Sequence, residues 1–258
     1  MESQRITFPG STGALLAARL ELPEGPPRAF ALFAHCFTCG KDVFAASRIA
    51  QALVEQGIAV LRFDFTGLGA SEGEFANTTF SSNVADLVAA AGYLRRDHQA
   101  PALLIGHSLG GAAVLAAAAA IPEVRAVATI GAPSDPSHVT GLFRDSVAEI
   151  EERGEALVQL AGRPFRIKRE FLADAAEQNL RERITHLGRA LLILHSPADT
   201  TVAIGNATSI FVNARHPKSF ISLADADHLL TRRSDAVYAA NLIAAWCERY
   251  LVDSTTVP

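Results

Sequence analysis

Apolar runs of six or seven residues recur along the chain, at 29–35 (AFALFAH), 58–64 (IAVLRFD), 102–107 (ALLIGH), 126–131 (AVATIG) and 190–195 (ALLILH). Runs this short and this continuous suit strands buried on both faces of a parallel sheet. Between them lie helical patterns at 43–56, 82–96 and 109–120, and KSFISL at 218–223 predicts one more strand before a closing helix at 234–250. RITF and LLAARLEL near the start, punctuated by Gly and Pro, predict an antiparallel lead-in hairpin. This alternation predicts an α/β fold, a doubly wound and mostly parallel sheet with right-handed crossovers. No internal repeat interrupts it.

One segment departs from the rhythm. Residues 144–185 carry 17 charged side chains in 42 positions, eight basic and nine acidic, about twice the density of the whole chain. Mixed signs exclude a one-signed binding patch. Two readings stand: a solvated helical excursion, or a cap over a pocket. The insertion is expected to span roughly 134–188 within a single domain of residues 1–258. Lying between two central strands, it would emerge at their C-terminal ends, where open α/β sheets bind ligands.

Composition narrows the partners. With 49% hydrophobic residues the chain is no disordered segment. A formal charge of −4 argues against nucleic acid as the main partner. The longest apolar stretch, from Gly110 to Ile121, is broken by Pro122, Glu123 and Arg125, short of the roughly 20 residues a membrane span needs. MESQRITFPGSTG has no apolar core of the kind an export signal carries. Three cysteines are few and odd in number, so reduced thiols in a cytoplasm are expected.

The chemistry concentrates at Gly106-His107-Ser108-Leu109-Gly110, a G-x-S-x-G between a buried strand and an Ala-rich helix. A nucleophile on a tight strand-to-helix turn needs small neighbours, and the turn exposes its hydroxyl at a helix N-terminus, where developing negative charge is favoured. A serine hydroxyl also needs a base, and the base an orienting acid, in the order Ser, acid, His. Asp199 in HSPADTTV and His228 in DADHLL each follow a predicted strand and so share a sheet edge with Ser108. Asp225 and Asp227 are rival acids. Among the other histidines, His107 reads as a wall beside the nucleophile, His195 and His35 stand at strand ends, and His138 and His216 read as surface residues. The amides of Leu109 and, from the loop His35-Cys36-Phe37-Thr38-Cys39-Gly40, of Phe37 are the candidate oxyanion donors.

These motifs resemble the α/β-hydrolase superfamily along essentially the whole chain, through GHSLGG, FDFTGLGASEG, HSPADTTV and DADHLL. More narrowly, HCFTCGKD with FDFTGLGASEGEF resembles the hydrolase half of bacterial hydrolase/OsmC fusion proteins. The resemblance implies an α/β-hydrolase fold with a cap insertion, a structural role for Asp64 in its turn, and an OsmC-like domain or protein as a possible partner. The chain ends at DSTTVP without such a domain, which on this reading makes it a stand-alone relative or an excised half. Cys36 stands where the common His-Gly oxyanion pattern has glycine.

Cys36 and Cys39 make a C-x-x-C. A zinc site would need two further ligands and only His35 is close, so no metal is expected, and the pair reads as small side chains packed beside the oxyanion loop. Removing both thiols is accordingly expected to leave most of the activity. Without a G-x-G-x-x-G after a first strand, no nicotinamide or flavin is implied, and no cofactor is expected. The expectation is a cytoplasmic serine hydrolase that cleaves small-molecule carboxylic esters with short to medium acyl groups. Thioesters or amides remain open as substrates. A role mainly as partner to an OsmC-like thiol peroxidase, and a thiol-based oxidoreductase using Cys36 and Cys39, are the readings from other classes.

Overall fold

The computed structural model describes residues 1–251, so the last seven positions of the expected 1–258 domain lie outside the described residues. Strands β1 (Glu2–Pro9) and β2 (Leu15–Leu22) form the lead-in hairpin, antiparallel throughout. The apolar runs become β3 (Ala29–Ala34), β4 (Ile58–Phe63), β5 (Leu103–His107), β6 (Ala126–Ile130), β9 (Ala190–His195) and β10 (Lys218–Ser222). All but β10 are buried along their whole length. They pair in parallel, and β2 joins β4 antiparallel, in an eight-stranded sheet of order β1-β2-β4-β3-β5-β6-β9-β10.

Helices cover both faces. On one, α1 (Phe44–Glu55) and α8 (Arg233–Leu251) pack Ile49, Leu53 and Ile243 against Phe33, Ile105 and Leu192. On the other lie α2 (Phe80–Asp97), α3 (Leu109–Ala117) and α7 (Gly205–Asn213). Thr79 caps α2 in a reciprocal capping box with Ser82. The strand order turns back at β3, which has β4 on one side and β5 on the other. The crevice outside the carboxyl ends of β3 and β5 is therefore the topological switch point at which such sheets place ligands.

The charged insertion is neither a bare helical excursion nor a solvated one. Between β6 and β9 it runs through a kinked 3-10 segment (Pro136–Ser146), α4 (Val147–Arg153), a two-stranded antiparallel hairpin of β7 (Glu155–Leu160) and β8 (Arg163–Lys168), then α5 (Arg169–Glu177) and α6 (Leu180–Thr185). Charges face outward, while Ile150, Val158, Ile167, Phe171 and Ile184 join the same apolar cluster as α2 and α3. Bonds tie it to the body: the Ser81 amide donates to Asp174 at 2.8 Å, and Lys168 Nζ to Asn77 Oδ1 at 2.7 Å.

Candidate active site

Ser108 follows β5 directly and stands one residue before α3, at φ +56 and ψ −127. Its amide donates to the Ile130 carbonyl at 2.9 Å, which fastens the turn to β6. Small residues are required on both sides of it. A Cβ on Gly106 would lie 2.3 Å from the Gly110 carbonyl oxygen, and one on Gly110 2.4 Å from the carbonyls of Ala34 and His35. The helix thus runs into the back of β3 with no room for a side chain.

Asp199 follows β9 and His228 follows β10, and the structure brings both to Ser108. His228 Nδ1–H donates to Asp199 Oδ2 at 2.7 Å, and the Ser108 hydroxyl to His228 Nε2 at 2.9 Å. A carboxylate only accepts, so Nδ1 carries the proton and Nε2 is left basic. The other oxygen of Asp199 accepts from the amides of Thr201 at 2.9 Å and Val202 at 2.8 Å. Burial pushes the Asp199 carboxyl up, but these bonds from His228 and the two amides outweigh it and hold the group below the ordinary carboxylate value. The two amides were not foreseen, although Asp199-Thr200-Thr201 is a sequence in which the carboxylate can bond the backbone two residues on.

Of the rival acids, Asp227 turns its carboxylate to Thr231, accepting from its amide at 3.0 Å and from its hydroxyl, and the bond at His228 Nδ1 goes to Asp199 rather than to Asp225. His107 is buried, and its Nε2–H donates to the backbone carbonyl of His228 at 2.7 Å. His195 Nε2–H donates to the Val202 carbonyl at 2.7 Å, bracing the Asp199 loop. His138 and His216 are exposed. Asp64 accepts from the amides of Lys41 at 2.6 Å and Ala70 at 3.0 Å and from Lys41 Nζ at 2.7 Å, pinning the loop after β3 to the turn after β4.

Leu109 occupies the first position of α3, so its amide has no carbonyl to bond within the helix. Phe37 sits in the loop after β3, half-buried against Phe75 and Phe171 at ring separations of 5.7 and 5.4 Å. Cys36 and Cys39 depart from expectation: they are joined as a disulfide rather than packed as reduced thiols. Four residues let the chain fold back on itself, bringing the two Cα atoms to 5.4 Å, within bridging range. Cys247, on α8, is the free cysteine and is buried, which pushes its thiol up to about 11. Among the described residues no group of three or more His, Cys, Asp or Glu side chains is disposed to hold a metal.

Two spaces adjoin these groups. Below the Phe37 loop, Phe65, Phe75, Phe80 and Leu109 enclose a void of about 10 Å³, near the smallest that admits one water. On the α1 side a cavity of about 500 Å³ opens between Cys36, Thr38, Val43, Phe44, His107 and Leu229. Phe44 and Leu229 on its rim are 76% and 51% exposed.

The family model of the serine aminopeptidases, S33, matches residues 25–153, half of the chain. The chain belongs to this family of α/β hydrolases. The hydrolase is also 50% identical to the esterase domain of a Rhodothermus marinus protein, with a TM-score of 0.81 over 98% of this chain and 100% of that one. It is 28% identical over 169 residues to the mitochondrial palmitoyl-protein thioesterase ABHD10 of Rattus norvegicus, covering 64% of this chain and 51% of that protein. It is 33% identical over 112 residues to the monoglyceride lipase of the same organism, covering 43% and 36%. The matches thus span about half or less of these two curated relatives. No helix of the described residues is long and apolar enough to cross a membrane.

Proposed function

We propose that this hydrolase cleaves carboxylic esters through an acyl-enzyme on Ser108, with His228 as the proton carrier and Asp199 as its orienting acid. The unbroken bond series from Ser108 Oγ through His228 to Asp199 carries the reading. Ser108 Oγ attacks the carbonyl carbon as its proton passes to His228 Nε2, and the carbonyl oxygen takes up the negative charge. The amides of Phe37 and Leu109 stabilise that charge. Collapse expels the alkoxide, which takes the proton back from His228. Water, deprotonated by the same imidazole, then releases the acid and restores Ser108.

The two spaces support a substrate class. The contacting series Phe171, Phe37, Phe75 and Phe165 fills the ground on the α2 side, so a long acyl chain has no channel there. The 500 Å³ cavity is of the size of ordinary small-ligand pockets and is lined by His107 and Leu229, the sequence neighbours of Ser108 and His228. A small ester with one modest apolar group therefore fits best. The ABHD10 likeness favours thioesters as the second substrate class, since the same attack serves both.

Covalent labelling with a fluorophosphonate tests the nucleophile. We expect one label per chain, on Ser108, and a loss on the order of 10⁴ to 10⁶ in kcat for Ser108→Ala at unchanged melting temperature. Near-normal turnover in that variant would overturn the mechanism. Paired ester and thioester substrates of one acyl group then separate the two classes by their kcat/KM ratio.

A further inference from the structure

The disulfide lies across the turn that carries Phe37. The Cys39 amide donates to the Cys36 carbonyl at 3.1 Å, so Phe37 and Thr38 are the two central residues of a β-turn. Thr38 stands at φ +58, the left-handed region where such turns favour glycine and a β-branched residue is an outlier. Two ties hold it there: the Cys36–Cys39 bond, and Arg163 of the β7–β8 hairpin, whose Nη2 donates to the Thr38 carbonyl. Cys36 is 6% exposed and Cys39 half-buried, and both line the 500 Å³ cavity. A sulfur that faces an open cavity of that size is within reach of a small thiol.

We propose that Cys36–Cys39 is a thiol-exchange site, taking a small dithiol, whose opening disables hydrolysis. The thiolate of the dithiol attacks Sγ of Cys39, the less buried of the two residues, and the Cys36 Sγ–Cys39 Sγ bond breaks with its electron pair left on Cys36 Sγ. The second thiol of the reductant, as thiolate, then attacks its own sulfur in the mixed disulfide and displaces Cys39 Sγ. The dithiol leaves as a cyclic disulfide, oxidised by two electrons, and its two protons go to the cysteine thiolates. With the bond gone, Thr38 relaxes from its left-handed conformation, and the peptide that aims the Phe37 amide turns with it. The exchange itself does not involve Ser108; its effect on turnover rests on the proposed oxyanion role of Phe37. This reverses the expectation, drawn from the sequence, that loss of both thiols is tolerated.

The full chain is equilibrated in dithiothreitol buffers of graded redox ratio under native conditions. Thiols are counted by mass after alkylation, and kcat and KM are measured on an activated butanoate ester. We expect two alkylated cysteines, 36 and 39, to appear together with a loss of roughly 10²- to 10³-fold in kcat, both reversing on reoxidation, as befits a displaced oxyanion donor. The double variant Cys36→Ser, Cys39→Ser should show the reduced-state turnover in every buffer, and Cys247→Ser should follow the parent protein. Ser108→Ala should gain the same two thiols while inactive. Should that variant instead hydrolyse normally, the proposed function fails while the thiol count still decides the exchange. Two titrated thiols with unchanged kcat, or thiols that appear only on unfolding, would overturn the proposal.

Discussion

Ser108 holds φ +56 and ψ −127, a conformation that costs a non-glycine residue on the order of 1–3 kcal/mol. The close fit of Gly106 and Gly110 against neighbouring backbone fixes it there and turns the hydroxyl toward His228 rather than into the core. The same economy of position separates the two neighbouring carboxylates. Asp199 bonds His228 Nδ1 through one oxygen and two amides through the other, so its geometry is set before any substrate arrives. Asp227 adjoins His228 in sequence, yet its carboxylate turns to Thr231. Asp199→Asn should therefore lower kcat about 10⁴-fold, because an amide that presents an N–H to Nδ1 selects the wrong imidazole tautomer. Asp227→Asn should change kcat only a few-fold, through the backbone around Thr231. Reversed magnitudes in a side-by-side steady-state comparison would move the acid to residue 227 and leave Ser108 and His228 in place.

At the scale of elements, the strands were legible because burial on both faces leaves little but apolar residues to write with, and each run appears within a residue or two of its predicted limits. Arg62 is the charged exception inside such a run. It is 2% exposed in β4 and survives there because Glu21 of β2 accepts from it at 2.6 Å, a pairing between strands that a linear pattern does not carry. The insertion was legible only as charged. Its hairpin went unforeseen, since β7 alternates buried and exposed positions over just six residues among flanking helix formers. Likewise a C-x-x-C spacing suits a metal, a redox pair or plain packing alike, and only the turn geometry distinguishes them. The insertion's apolar side now bears on specificity. Phe165 and Phe171 close with Phe75 and Phe37 over the α2 side of the site, at ring separations of 5.0 to 5.7 Å. A butanoyl ester should consequently outperform a hexadecanoyl ester in kcat/KM. Phe171→Ala should narrow the difference by opening room beneath Phe37, and a parent enzyme already faster on the long chain would refute the packing argument.

For the molecule as a whole, the switch-point architecture gathers three buried histidines at the carboxyl edge of the sheet, His35 just after β3, His107 ending β5 and His195 ending β9. Burial lowers all three, His107 from the ordinary 6.5 to about 4. Each spends one nitrogen on a backbone carbonyl, and His35 Nε2 and His195 Nδ1 are buried with no partner, so a second proton would bring an unsolvated charge into the edge. A histidine with a lowered folded pKa binds protons in the unfolded chain first, so stability falls as pH drops below about 6.5 and levels off below the folded value. For His107 alone that amounts to about 2 kcal/mol between pH 7.5 and pH 5, and about 3 kcal/mol by pH 4. Asp199 acts in a separate, lower window: its depressed carboxyl contributes stability above its ordinary value of 3.8, which is lost as pH falls through the folded value. His107→Gln keeps an N–H near the His228 carbonyl but cannot titrate. Urea unfolding at pH 7.5 and pH 5 should show the parent losing about 2 kcal/mol more than this variant across the interval. Parallel losses in the two proteins would mean that His107 is already charged in the folded state, or solvated in a way its 3% exposure does not allow.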